Sequence, residues 1–104
     1  RCNTASGRYA MIGGGLLNVS SGCSSVVSGG LSNIASTCHS AILGGTTNNT
    51  STFACAMIVG SNITADASCT TFVNKLSIKT IPTSSAGVPS GSVWRNGTVL
   101  EIVV

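Results

Sequence analysis

The chain has 104 residues, enough for one small domain, and only 7% of them are charged, where about a quarter is usual for globular domains. Aromatic residues make up 4%, which excludes a thick core of large side chains, while 42% hydrophobic residues argue against disorder. The net charge of +3 comes from scattered cations, and no apolar run approaches about 18 residues, so neither nucleic-acid binding nor membrane insertion is expected. The chain begins at Arg1 without a Met, which indicates a fragment of a longer protein.

A repeat of about fifteen residues runs from the start of the chain to about residue 74. An Asn recurs with spacings of fifteen and, once, fourteen, at Asn3, Asn18, Asn33, Asn48 and Asn62. Glycines keep the same period, at Gly14-Gly15, Gly29-Gly30, Gly44-Gly45 and Gly60. An apolar pair precedes each Gly turn, at Met11-Ile12, Val26-Val27, Ala41-Ile42 and Met57-Ile58. Because several markers keep one period, the segment is predicted to be a stack of equivalent units.

The repeat predicts an all-β fold over residues 1–74, a stacked parallel β-roll or β-helix in which each unit forms one coil. Fifteen residues are too few for a helix pair, which needs about 33, and Gly, Asn, Ser and β-branched residues disfavour helix. Each unit divides into a short strand, a Gly-rich turn, a second short strand and an Asn turn. Equivalent residues of successive coils would lie about 4.8 Å apart, so the recurring Asn residues are expected to form an amide ladder.

The apolar pairs predict that several copies of the chain pack side by side. One column of the stack is expected to contain Ile12, Val27, Ile42 and Met57, and the adjacent column Met11, Val26, Ala41 and Ala56. Neighbouring residues of a strand face opposite sides, so both faces of this strand require burial. One face can line the inside of the coil, and the other needs a partner. A monomeric solenoid with faces of small residues is the alternative.

Residues 75–104 lose the period and are predicted to be a capping segment. Pro82 and Pro89 flank a Ser- and Gly-rich loop. Asn96-Gly97, between two apolar runs, is the strongest short signal for a β-hairpin. Trp94, the only Trp, is expected to anchor this hairpin, which would cover the open end of the stack and protect its unpaired backbone.

The repeats resemble those of known fibrous proteins. The segments NTASGRYAMIGGG, NVSSGCSSVVSGG and NIASTCHSAILGG are similar to the head repeats of trimeric autotransporter adhesins. They resemble even more the N-x-A-S-G-x-x-S-x-V-x-GG repeats of phage and large-virus fibre proteins. The resemblance covers roughly residues 3 to 74 and implies a parallel β-roll or β-helix assembled as a homotrimer. Val59 and Val73 depart from the pattern, since each replaces an expected Gly.

The last part of the chain extends this resemblance. IPTSSAGVPSGSVWRNGTVLEIVV, residues 81 to 104, looks like a C-terminal segment that closes viral structural fibres. Together the two segments imply a structural fibre or tip protein on a virion surface, which gives a rigid trimeric stalk and contacts a host receptor or glycan. The alternatives are the head of a bacterial surface adhesin and a self-assembling extracellular filament subunit.

Four of the five cysteines occupy matching positions of the repeat. Cys23 and Cys38 share one position, and Cys55 and Cys69 share another. At a coil spacing of about 4.8 Å their Cα atoms would be close enough for disulfides, which would leave Cys2 over. Alternatively, all are small apolar fillers in a reducing compartment. No Cys-x-x-Cys motif occurs, so a structural zinc site is not expected.

The remaining candidates for chemistry are few. His39, the only His, would form a metal or anion site if three copies met on a trimer axis, although a surface role is the more ordinary interpretation. Asp66 and Glu101 are the only acids and give no sign of a catalytic carboxylate pair, so neither catalysis nor a cofactor is expected. Glycosylation sequons occur at Asn18, Asn48, Asn49, Asn62 and Asn96, where a role in turns or ladders is the favoured interpretation.

Overall fold

The chain is an all-β protein built almost entirely of very short strands. A computed structural model describes residues 1–104 and contains no helix. The ten strands are β1 (Thr4–Ala5), β2 (Met11–Ile12), β3 (Val19–Ser20), β4 (Val26–Val27), β5 (Ile34–Ala35), β6 (Ala41–Ile42), β7 (Met57–Val59), β8 (Thr71–Val73), β9 (Val93–Asn96) and β10 (Val99–Ile102). In particular, no helix that could cross a membrane is present.

Successive coils stack in parallel, which confirms the predicted β-solenoid of about five turns. Strands β1, β3 and β5 form one parallel sheet, and β2, β4, β6, β7 and β8 form a second. A third line of contact is made by single parallel bridges that join Leu16 to Leu31 and Leu31 to Thr46. The molecule is elongated, with principal extents of 48 × 21 × 20 Å. Short strands suffice here because their backbone groups pair with the coils above and below.

The interior of the coil is narrow and filled by small and aliphatic side chains. Its apolar centre consists of Val27, Ala35, Ile42 and Ile58, all buried. Hydroxyl groups fill the remaining space, and the Ser20 and Ser25 side chains hydrogen-bond to each other at 2.7 Å. Every buried side-chain nitrogen and oxygen has a hydrogen-bond partner. The low aromatic content of the sequence therefore matches a core too thin for large rings.

The recurring Asn residues form the predicted ladder inside the solenoid. The backbone N–H of Asn33 donates to Oδ1 of Asn18 at 3.0 Å, and the N–H of Asn48 donates to Oδ1 of Asn33 at the same distance. The amide nitrogen of Asn33 also donates to the carbonyl oxygens of Gly29 and Gly45, both at 3.0 Å. Asn33 thus joins three consecutive coils through its backbone N–H, its side-chain amide and its Oδ1.

The expectation that Asn62 continues this ladder is wrong. The residue whose N–H donates to Oδ1 of Asn48 is Ile63, at 3.1 Å, and Asn62 lies one position earlier with a left-handed backbone, φ 58°. The fourteen-residue spacing therefore does not mark a shortened repeat. The ladder ends at Asn48, and the apolar Ile63 packs against the core in its place.

The cause is a pair of compensating changes in the fourth coil. Its first turn gains one residue, because Ala41 pairs with Met57 rather than with Ala56. Ser51 accommodates this insertion in a left-handed conformation, with its N–H bonded to Oδ1 of Asn49 at 2.7 Å. The following Gly turn loses one residue, since Asn49 still bridges to Thr64 at the usual spacing. The two changes cancel, so the coil keeps its length.

This shift also corrects the composition of the two apolar columns. The inward column contains Ile12, Val27, Ile42, Ile58 and Phe72, and the outward column contains Met11, Val26, Ala41, Met57 and Thr71. Met57 was expected in the column of Ile12, Val27 and Ile42 but lies in the outward column, and Ala56, expected beside Ala41, precedes the strand as a buried turn residue. The extra residue before Met57 moves each of these side chains by one position, which reverses the face of a strand residue.

The last coil ends at Asn74, whose side chain completes the turn below it. Its Oδ1 accepts the Ser61 backbone N–H at 2.7 Å, and its Nδ2 donates to the Ser61 carbonyl oxygen at 3.1 Å. This side-chain amide supplies the donor and acceptor that a further coil would otherwise offer. The backbone N–H and carbonyl groups of Ser61, in the turn after β7, are therefore paired although no further coil follows.

The C-terminal hairpin is present, with a turn one residue later than the Asn-Gly pair indicates. Strands β9 and β10 are antiparallel, and Asn96 pairs with Val99, so the turn consists of Gly97 and Thr98. Only Gly97 has positive φ, at 65°, as in a turn with glycine at its first central position. The two strands pair with each other and with no strand of the solenoid.

Candidate functional site

The most extended candidate surface is the outer side of the five-stranded sheet. We use the term apolar face for Met11, Val26, Ala41, Leu43, Met57, Val59 and Val73. Strand β7 illustrates the geometry, because Ile58 is buried whereas Met57 and Val59 on either side of it point outward. Leu43 follows β6 and is 63% exposed, and Val59 is 44% exposed. In one chain, large aliphatic side chains therefore form a surface open to solvent.

Two shallow grooves cross this face. One is lined by Ser28 and six apolar residues, Ala41, Ile42, Leu43, Met57, Ile58 and Val59. The other lies beside it, between Leu43, Val59 and the neighbouring Gly turns, and reaches Asn74. Neither groove is lined by an ionisable side chain. The first groove offers mainly apolar contact, and the second is lined mostly by Gly, Ser and Asn.

The apolar face also lacks nearby charges in the sequence. No Asp, Glu, Lys or Arg occurs between Tyr9 and Ala65. Buried interface cores are similarly depleted of charged residues, because desolvating a charge is costly. From Met11 to Val59, the face can therefore be covered by another apolar surface without burying a charge. The sequence indicated the column of Met11, Val26 and Ala41 but missed Leu43 and Val59. The available signal was the spacing of fifteen residues from Ser28 to Leu43 and of sixteen from Leu43 to Val59.

A second candidate surface is the turn between the two sheets, where four cysteines gather. We call Cys23, Cys38, Cys55 and Cys69 the cysteine corner. Cys55 and Cys69 take the same left-handed position in successive coils, with φ of 58° and 52°. The Cys55 N–H donates to the Cys38 carbonyl oxygen at 3.0 Å, and the His39 N–H donates to the Cys23 carbonyl oxygen at 2.8 Å. The backbone ladder thus continues through the corner.

The thiols of Cys55 and Cys69 are close enough to influence each other. The side-chain hydrogen bond with Cys69 and the repulsion between the two thiolates raise the pKa of the Cys55 thiol, with smaller contributions from burial and from Cys38. Cys55 is half-buried, whereas Cys23, Cys38 and Cys69 are exposed. Cys2 lies apart from the corner, at the left-handed position that Leu17 takes in the next coil.

His39 lies on the cysteine corner rather than on the apolar face. Its backbone is left-handed, φ 57°, at the position that Cys55 takes in the next coil, and its side chain is exposed. No group of three His, Cys, Asp or Glu side chains able to hold a metal ion is present within the chain. A metal site formed by His39 from three copies stays a prediction.

The two acids and the sequons are dispersed. Asp66 is exposed in the fifth coil, and Glu101 belongs to β10, where it accepts a hydrogen bond from the Asn96 amide at 3.3 Å. The amide nitrogens of Asn18 and Asn48 are engaged inside the ladder, so these sequons are not accessible to glycosylation in the folded coil. Asn62 and Asn96 are exposed, and Asn49 is half-buried.

Comparison with models of protein families, with curated protein sequences and with solved structures gives no match for this chain.

Proposed function

We propose that the chain is a structural segment of a virus or phage fibre, in which three copies pack side by side into a rigid stalk or tip. The observation that carries this proposal is the exposed apolar face on a continuous β-solenoid. The proposed location is the virion surface, and a host receptor or glycan is the proposed partner beyond the trimer. Catalysis, a cofactor and nucleic-acid binding form no part of it.

The solenoid supports a mechanical role. Its coils are joined by backbone hydrogen bonds along the long axis and by the internal Asn ladder. Bending the stack would lengthen several of these bonds at once, so the coils resist bending as a unit. The repeat can be lengthened by adding coils without altering the cross-section, which suits a stalk that has to give reach.

The apolar face supports lateral association. Burial of apolar surface stabilises an interface by roughly 25 cal/mol per Å² removed from water. Leu43, Met57 and Val59 together with Val73 project from consecutive coils, so the buried area would increase with each coil added. A three-fold arrangement would bring the apolar faces of three chains to a common axis, where each face would be covered by the other two chains.

The C-terminal hairpin fits the proposed trimer as a closing element. Val99, Leu100 and Ile102 of β10 are each more than half exposed in one chain. These side chains would be covered if the hairpins of three chains packed together below the last coil. The resemblance of residues 81–104 to the closing segments of viral fibres favours a fibre over a bacterial adhesin head.

The mass of the chain in solution tests this proposal. Light scattering at micromolar concentration is expected to give three times the mass of one chain. Leu43→Glu would place a charge at the centre of the apolar face, and we expect it to weaken association by roughly 100-fold or more. Ser21→Glu, at an exposed turn position, is the matched control and should leave the trimer unchanged.

Two outcomes would contradict the proposal. A stable monomer of the unvaried chain would show that the proposed interface does not form. If the Leu43→Glu variant associated as strongly as the unvaried chain, the interface would lie elsewhere. Small-angle X-ray scattering separates the trimer from a self-assembling filament. A closed trimer keeps one maximum dimension at all concentrations, whereas a filament grows longer as the concentration rises.

A further inference from the structure

The cysteine corner contains a pair of thiols that the fibre proposal does not use. We propose that Cys55 and Cys69 form a disulfide between the fourth and fifth coils, which fastens the last coil of the solenoid to the stack. This inference concerns a single chain and does not depend on how many copies assemble.

Backbone register places the two residues directly above each other. Met57 pairs with Thr71 in β7 and β8, and each cysteine precedes its strand residue by two positions. Both cysteines have left-handed backbones, φ 58° and 52°, so their Cα–Cβ bonds leave the corner in the same direction. Parallel coils about 4.8 Å apart fall within the Cα separation of roughly 4.4–6.8 Å that disulfides require.

The neighbouring thiols are less well placed to take part. Cys38 lies one position before the left-handed residue, and its carbonyl oxygen accepts the Cys55 N–H. It is therefore offset from Cys55 along the chain direction, whereas Cys69 is in register with it. Cys23 is one coil further away and matches Cys38. The Cys55 thiol interacts most strongly with the Cys69 thiol and more weakly with Cys38.

The chemistry requires an oxidant, which a low-molecular-weight disulfide such as oxidised glutathione supplies. The exposed Cys69 thiol loses its proton and attacks the glutathione disulfide, which forms a mixed disulfide and releases one glutathione thiolate. The Cys55 thiol then loses its proton and attacks the Cys69 sulfur, which releases the second glutathione. Two protein thiols are oxidised and one glutathione disulfide is reduced to two thiols, as thiol–disulfide exchange requires.

The position of the pair gives the bond a consequence for stability. Strand β8 is an edge strand, so the fifth coil is held from one side only. A bond between residues 55 and 69 closes a loop of about fifteen residues, a length for which cross-linking raises the melting temperature by roughly 10 °C in a domain of this size. Fraying of the last coil would then have to begin beyond Cys69.

The sequence provides a direct test, because Asp66 lies between the two cysteines and is the only Asp. Cys69 is the only cysteine after it, so cleavage at Asp66 puts Cys69 on one fragment and the other four on the other. The full chain is incubated with a mixture of oxidised and reduced glutathione. Free thiols are then alkylated, and the denatured chain is cleaved before Asp66. We expect the two fragments to stay linked on a non-reducing gel and to separate on reduction.

Variants identify the partner of Cys69. Cys55→Ser should abolish the link between the fragments, whereas Cys38→Ser and Cys23→Ser should retain it. Fragments that separate without reductant would overturn the proposal, as would a link that persists in the Cys55→Ser variant. The melting temperature of the unvaried chain gives a second readout that needs no substitution, because oxidised and reduced samples should differ by roughly 10 °C. Equal melting temperatures would overturn the stabilising role.

Discussion

At the scale of single residues, the buried Asn side chains link backbone geometry to stability. Asn33 donates its side-chain amide hydrogens to the carbonyl oxygens of Gly29 and Gly45 and its backbone N–H to Oδ1 of Asn18, and its own Oδ1 accepts the Asn48 N–H. A buried amide with all its partners stabilises the coil, whereas a buried group without partners is strongly destabilising. The ladder is thus a structural device, and its regularity does not indicate a ligand site.

The substitution Asn33→Ala is expected to destabilise the chain by about 3 kcal/mol, because it leaves the Asn48 N–H and the Gly29 carbonyl oxygen without partners and opens a cavity. Asn3 is the first residue of the ladder and is half-buried, so Asn3→Ala should destabilise the chain by less than Asn33→Ala does. Thr64→Ala, at an exposed position, is the control and should remain within about 0.5 kcal/mol. Chemical denaturation measures all three, and equal effects for Asn33→Ala and Thr64→Ala would contradict the structural role of the ladder.

At the scale of elements, the two glycines of each Gly turn have different roles. Gly30 has φ 96°, and a Cβ added there would collide with the carbonyl oxygen of Gly45 in the next coil. Gly29, its immediate neighbour, has space for a Cβ and no positive φ. The turn therefore requires glycine at its second position only, where the coils approach each other most closely.

Gly30→Ala is expected to destabilise the solenoid by roughly 2 kcal/mol or more, because a left-handed backbone and a steric clash add together. Gly29→Ala is the matched control, and we expect it to be neutral or stabilising by a few tenths of a kcal/mol. Thermal unfolding followed by circular dichroism compares the two variants. A larger loss for Gly29→Ala than for Gly30→Ala would contradict the assigned turn geometry.

At the scale of the whole molecule, the apolar face is expected to decide whether the protein associates in solution. An interior with Val27, Ile42 and Ile58 as its largest buried side chains provides little hydrophobic stabilisation for a chain of 104 residues. Association through the apolar face would add apolar burial that one coil cannot provide alone. Stability and assembly are expected to be linked for that reason.

If folding and trimer formation are linked, the melting temperature of the unvaried chain should rise by several °C when its concentration increases about 100-fold. The physical reason is mass action, since unfolding releases three chains from one assembly. The Leu43→Glu variant should melt at one temperature at all concentrations. A concentration-independent melting temperature for the unvaried chain would argue against a trimer held by this face.

The parallel stack and the Asn ladder were predictable because both follow from local spacing. A fifteen-residue period of Asn, Gly and apolar pairs leaves few ways to satisfy backbone hydrogen bonds other than coil upon coil. The Asn96-Gly97 signal likewise located the hairpin, and only its turn moved by one residue, to Gly97 and Thr98. Local turn chemistry and periodicity therefore determined the fold class, the coil length and the position of the hairpin.

The tertiary structure decided the register of the fourth and fifth coils and which of their side chains lie on the apolar face or in the core. One residue added before Met57 and one removed after it cancel over the whole coil, and the only trace of them in the apolar pairs is the sixteen-residue step from Ala41-Ile42 to Met57-Ile58. The added residue is accommodated by a left-handed Ser51, whose N–H donates to Oδ1 of Asn49 and whose carbonyl oxygen accepts the Ser36 hydroxyl of the preceding coil. Because a shift of one position turns a strand residue from the core to the surface, only the stacked structure reveals that Met57 faces outward and Ile63 inward.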